Sequence, residues 1–261
     1  MAYVKVNGVK LFVRTYGDGA GEPVVVLHGL HSSHASMLPV INGLKKKYKV
    51  IAYDCRGHGR SEKPVSYSLK DHSEDLKSII GHYGLEKVNV IGFSMGSYIV
   101  QQTAILSPDL FKKIILIAPK SRGAGSSVEE LLKGQGISLS ELSELKLGRL
   151  LSRQLFSPGT SFLKKIKPML LKRFSPGLTS VQRMTASHAL KGFDFTKDLK
   201  ELPAPTLILS GKEDKINPPY LGQETASHIP SGEFLLFEKS GHMIHFEEEK
   251  KCIQAINKFL S

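Results

Sequence analysis

Ser94 stands between two glycines in V-I-G-F-S-M-G-S-Y, residues 90–98, where a β-rich run meets an apolar helical pattern. Val88, Val90 and Ile91 favour a strand, because β-branched side chains pack well on a pleated surface. Met95, Tyr98, Ile99 and Ala104 recur at roughly helical spacing. Gly92 and Gly96 thus flank a tight strand-to-helix turn, where glycine relieves backbone crowding and the apical hydroxyl is pushed outward. A serine hydroxyl is a weak nucleophile by itself. It needs a base to take its proton and donors for the oxyanion that its attack creates.

Two downstream positions supply the base and its partner. Asp214, in S-G-K-E-D-K-I-N-P, follows an expected strand over 205–209, and His242, in E-K-S-G-H-M-I-H-F-E, follows an expected strand over 233–237. Reacting groups in open α/β sheets gather outside the carboxyl ends of the strands, and Ser94, Asp214 and His242 all stand at such ends. The imidazole would accept the serine proton and the carboxylate would hold its tautomer. Competing groups read differently. Glu213 is a solvated loop carboxylate, Asp54 in Y-D-C-R-G-H-G-R-S precedes the serine, and His245 falls in a helical pattern and packs. Oxyanion donors are backbone amides, one after the nucleophile (Met95) and one in the loop after an earlier strand (Leu30, in His28-Gly29-Leu30). His28, His31 and His34 are spaced like metal ligands, but no thiolate or H-E-x-x-H context accompanies them, so no metal is expected.

These groups need a sheet to carry them. Tyr3–Val6 and Val9–Tyr16, joined by Asn7-Gly8, read as a hairpin. An apolar run over 23–27, a helix from about 36 to 48, a strand over 49–53, a helix over 69–83, the strand into Ser94 and a strand over 113–118 follow. This βαβαβαβ alternation predicts a mostly parallel sheet flanked by helices. From 119 to about 194 the strand signal disappears. Amphipathic segments there are divided by S-P-G at 157–159 and 175–177, as in a helical insert.

The 261 residues suit one sizeable domain, and 41% hydrophobic with 23% charged residues is ordinary for a globular chain. Two cysteines make no disulfide framework, and the first ten residues lack a signal-peptide h-region, so a reduced, cytoplasmic protein is expected. No apolar run is long enough to span a bilayer. Of the net charge of +12, residues 120–200 contribute 15 Lys and Arg against 6 Asp and Glu, a balance of +9. The lysines alternate with apolar residues, as in F-L-K-K-I-K-P-M-L-L-K-R-F, which reads as solvated helix faces rather than a nucleic-acid surface.

The chain resembles the α/β-hydrolase superfamily over nearly its whole length. H-G at 28–29, D-x-R-G-x-G-x-S at 54–61, G-F-S-M-G at 92–96, G-x-x-D at 211–214 and G-H at 241–242 carry the resemblance. It is most similar to small esterases, 3-oxoadipate enol-lactonase-like enzymes and cofactor-free perhydrolases. Haloalkane dehalogenases and epoxide hydrolases carry Asp where this chain has Ser94. The resemblance implies an α/β-hydrolase core over 1–118 and 196–261 with a helical cap over 119–195 roofing the pocket. It implies a structural turn at Asp54 to Ser61, and a Ser97 that tightens helix packing without touching the triad. The function expected is cofactor-free hydrolysis of small, largely apolar, neutral carboxylic esters by Ser94, His242 and Asp214 through an acyl-enzyme. Alternatives are lactone or C–C bond hydrolysis, perhydrolysis or acyl transfer with the same triad, or a non-catalytic ligand receptor.

Overall fold

The computed structural model describes residues 2–17, 21–138, 142–172 and 176–261, with the backbone alone for 144, 145, 169 and 172. Ser175 of the second S-P-G tripeptide and residues 173–174 of the lysine-rich run lie outside the described residues.

Asn7 (φ 44°) and Gly8 (φ 77°) both take left-handed backbone, the two-residue turn that matches strand twist. They join β1 (Ala2–Val6) to β2 (Val9–Tyr16) as the expected antiparallel hairpin. The buried runs form β3 (Glu22–Leu27), β4 (Tyr48–Tyr53), β5 (Val88–Phe93) and β6 (Phe111–Ile117). Beyond β6 the chain makes a two-residue antiparallel pair, β7 (Arg122–Gly123) with β8 (Phe193–Asp194), before β9 (Thr206–Gly211) and β10 (Gly232–Phe237). The expected absence of strands over 119–194 is corrected here: two residues per strand are too few to leave a period of two.

The main sheet runs β1-β2-β4-β3-β5-β6-β9-β10. β2 is antiparallel to both neighbours, and every pairing from β4 to β10 is parallel. The chain therefore has the α/β-hydrolase arrangement, a mostly parallel sheet with helices on both faces. Alternation along β3 shows how the layers form. Val25 and Leu27 face one core and Val24 and Val26 the other, all of them fully buried. Each such side chain stabilises the fold by roughly 1.5–3 kcal/mol.

The helices between strands are α1 (Leu38–Leu44), α2 (Leu69–His82) and α3 (Met95–Leu106). The helix expected over 36–48 is shorter than that: a 3-10 turn occupies His34–Met37, α1 ends at Leu44, and Tyr48 already opens β4. Lys45, Lys46 and Lys47 are exposed and give a continuing helix nothing to bury. Between β7 and β8 lie α4 (Ser127–Gly134), α5 (Glu144–Leu155), α6 (Phe162–Lys172) and α7 (Ser180–His188). Ser126, Ser143 and Thr179 cap three of them by accepting the amides of Glu129, Lys146 and Gln182. α8 (Pro219–His228), α9 (Ile244–Glu247) and α10 (Glu249–Leu260) complete the layers. Among the described residues no helix is long and apolar enough to cross a membrane.

Candidate active site

Ser94 has φ 51° and ψ −115°, a conformation that L-residues rarely adopt and that only a well-supported turn holds. Its amide donates to Ile117 O of the neighbouring strand at 2.8 Å. The Ser97 amide and hydroxyl both donate to Ser94 O, at 2.8 and 2.6 Å. Ser97 thus touches Ser94 through its carbonyl, which corrects the expectation that it would stand clear. A Cβ at Gly92 would meet the Gly96 carbonyl and lie 2.7 Å from Ser97 N, and one at Gly96 would lie 2.8 Å from Leu27 O. These two glycines let α3 press against β5 and β3, which turns the serine outward.

The structure brings the three sequence-selected groups together. Ser94 Oγ lies 3.0 Å from His242 Nε2, and His242 Nδ1 lies 2.7 Å from Asp214 Oδ2. Asp214 Oδ1 accepts the Ile216 and Asn217 amides at 2.8 and 2.9 Å, which fixes the carboxylate plane. All three are buried, and the Phe93 ring packs 5.1 Å from the His242 ring. Such a chain can deprotonate a hydroxyl as it attacks a carbonyl.

The loop after β3 reaches the serine from the other side. A Cβ at Gly29 would lie 3.4 Å from Ser94 Cβ and 2.9 Å from the Phe93 ring, so only glycine fits. His28 is fully buried; its Nε2 accepts the Cys55 amide at 3.0 Å, leaving Nδ1–H to donate to Gly29 O at 2.8 Å. Burial is the larger influence on His28 and lowers its pKa, keeping this neutral tautomer. The Gly29 carbonyl and Leu30 N–H share one trans peptide plane and point in opposite directions. Holding the first therefore aims the second. Met95 is the first residue of α3, where an amide has no intrahelical acceptor.

The competing groups are engaged elsewhere. Glu213 is exposed. Asp54 holds the His34 amide and ring at 2.8 and 2.6 Å and the Arg60 amide at 2.8 Å. Arg56 grips Asp75 of α2 through two bonds of 2.7 and 2.6 Å. His245 is buried in α9, with Nε2 3.2 Å from Ser36 O. The three histidines with metal-like spacing are held by different groups, Gly29 and Cys55 for His28, Arg183 and Ser187 for His31, and Asp54 for His34.

Ser94 and His242 open into a cavity of about 720 Å³. Leu30 and Met95 line its floor, while Leu151 and Leu155 of α5, Leu171 of α6 and Leu178 close it from the segment between β6 and β9. Sequence reasoning missed two supports. Asn217 links three groups: its side-chain amide donates to Tyr98 Oη and Ala118 O at 2.8 and 2.6 Å and its Oδ1 accepts from Ser127. Glu247 accepts the Ser157 and Gly241 amides at 2.7 and 2.9 Å and the Thr160 hydroxyl, tying the S-P-G turn to the loop before His242. Neither stands out as a lone polar letter in a loop or short helix.

Residues 22–249 match the sequence profile described as the alpha/beta hydrolase fold. The "AB hydrolase superfamily protein YisY" of Bacillus subtilis is 30% identical over 98% of this chain and 98% of its own length. "Proline iminopeptidase PfmaB" of Pestalotiopsis fici is 27% identical, covering 99% of this chain and 98% of its own. The solved enol-lactonase from Burkholderia xenovorans LB400 superposes with a TM-score of 0.86 over 99% of both chains at 21% identity, a likeness of fold. With a profile match across most of its length and relatives alike from end to end, this chain belongs to the α/β-hydrolase fold family of hydrolases.

Proposed function

We propose that the protein is a serine hydrolase of small, largely apolar carboxylic esters, with Ser94 as nucleophile, His242 as acid and base, and Asp214 as the group that orients His242. The observation that supports this most is the unbroken chain from Ser94 Oγ through both His242 nitrogens to Asp214, at 3.0 and 2.7 Å. Attack by Oγ on the ester carbonyl carbon passes its proton to Nε2. The Leu30 and Met95 amides stabilise the tetrahedral oxyanion. Collapse expels the alcohol with the proton from His242, leaving an acyl-Ser94 ester that water cleaves by the same route. No cofactor enters these steps. The segment 119–195 acts as a cap whose leucines set the size of the acyl group.

Peptide amine recognition is a poorer fit. An enzyme that binds a free amino terminus needs a carboxylate to hold the ammonium, and no Asp or Glu lines the cavity among the described residues. The test is a panel of ethyl esters of graded acyl length, lactones of matched size and prolyl anilides, with initial rates normalised to enzyme. We expect short and medium esters to be turned over fastest. Prolyl anilide turnover exceeding every ester and lactone would overturn the ester reading.

A further inference from the structure

Arg183, in α7, is buried at 4% exposure and lines the same cavity as Ser94 and His242. Its Nη1 donates to Leu178 O at 2.8 Å, and its Nη2 to Leu142 O at 2.9 Å and the Ser180 hydroxyl at 3.0 Å. All three acceptors are neutral. Among the described residues its buried Nε–H has no acceptor, and no Asp or Glu forms an ion pair with the guanidinium. A buried cation without a counter-ion is costly, and a buried donor left without an acceptor adds to that cost. Among the described residues the other buried arginine shows the usual solution: Arg56 is paired with Asp75 at 2.6 Å. Arg149 and Lys165 also line the cavity, and no acidic side chain does so among the described residues.

We propose that Arg183 is an anion-recognition residue, selecting esters that carry a carboxylate away from the scissile bond. The proposal rests on the acyl-transfer reading above and gives its substrate a charge. A carboxylate in the cavity would supply a counter-ion and an acceptor for the Nε–H, and charge-assisted bonds of this kind are the strong ones. The leucines of the cavity take the chain between the two carbonyl carbons. Position adds a second consequence. The Arg183 carbonyl and the Ser187 hydroxyl lie 3.1 and 3.3 Å from His31 Nε2, so α7 is fastened to the loop that carries Leu30. An anion that orders Arg183 thereby also steadies one oxyanion donor. This departs from the expectation of neutral esters. Lys164 and Lys167 of the repeating run are exposed, and that pattern says nothing of one buried arginine.

The experiment compares monoethyl glutarate with its carboxamide isostere, ethyl glutaramate, under identical conditions. The wild type should show a kcat/KM ratio favouring the carboxylate by about ten- to hundredfold, mostly in KM, as expected for a bond to a charged group. Arg183→Gln should bring the ratio to about one, and Arg183→Lys, which keeps the charge but loses the planar fork, should retain part of it. A wild-type ratio at or below one, or a ratio unchanged in Arg183→Gln, overturns the proposal and leaves Arg183 as a clamp on the Leu142 and Leu178 carbonyls. Calorimetry on Ser94→Ala separates this from a failure of the acyl-transfer reading, because binding needs no turnover. Monoethyl glutarate should bind more tightly than ethyl glutaramate there, and equal binding contradicts the role assigned to Arg183 whatever the reaction is.

Discussion

At the scale of single residues, the two oxygens of Asp214 do different work. Oδ2 meets His242, while Oδ1 accepts two consecutive loop amides, so the carboxylate cannot turn without breaking those bonds. Asp214→Asn should keep the fold, since an amide oxygen can still accept from the loop, yet lower kcat by about 10⁴ because the amide favours the wrong imidazole tautomer. Glu213→Gln, an exposed change, should stay within about twofold. Ester kinetics on both variants, with circular dichroism to check folding, decide the matter, and the reverse ranking means the wrong carboxylate was assigned. Asp214 and His242 could be read from sequence because side-chain identity carries their chemistry. Leu30 could be placed only by its position after a strand, because the group proposed to act there is an amide that every residue but proline possesses. Arg183 was not legible at all: one arginine among many basic residues gives no sign of which is buried.

Elements decide where those residues point. The elbow depends on backbone approaching backbone, with α3 crossing the ends of β3 and β5 at distances that leave no room for a methyl group. Gly92→Ala should therefore cost about 1–3 kcal/mol, the usual penalty for overpacking, and reduce turnover as Ser94 shifts. Thermal unfolding and ester kinetics measure the two effects, and a variant of wild-type stability and activity contradicts the packing described. The glycines of this turn were legible because crowding selects them strongly. The β-branched runs were equally plain, since strands buried on both faces must be apolar throughout. The β7–β8 pair and the early end of α1 were not, because two paired residues, or three lysines after a helix, leave no period to recognise. The order of strands in the sheet is likewise set by long-range packing rather than by any local pattern.

For the whole molecule, buried histidines link stability to pH. Burial is the main influence on His28, His58, His72 and His245, and it lowers all four, with His72 and His245 pushed down to about 3. In the unfolded chain these rings take up protons near 6.5, while in the fold all four resist protonation, His72 and His245 down to about 3, so the unfolded state binds more protons below 6.5. Stability should therefore fall as pH drops from about 6.5, by roughly 2 kcal/mol at pH 5 for each ring held near 3. Denaturant midpoints at pH 7.5 and 5 test this. His72→Gln should narrow the gap between them, and an equal midpoint at both values rules the linkage out. Asp54 acts in the same direction at lower pH: burial raises its carboxyl, but bonds and charge from His34, His28 and the Arg60 amide outweigh that and hold it below its ordinary value. Both effects concern the scaffold that keeps Ser94, His242 and Asp214 in line, and the proposed chemistry turns on one hydroxyl. The most direct measurement is fluorophosphonate labelling of the whole chain, with the adduct mapped by peptide mass spectrometry and ester turnover followed in parallel. One adduct, on Ser94, should appear as activity is lost, and Ser94→Ala should take no label while turnover falls by about 10⁴- to 10⁶-fold. An adduct on any other residue, or an Ser94→Ala variant that keeps a substantial fraction of its turnover, would contradict the mechanism.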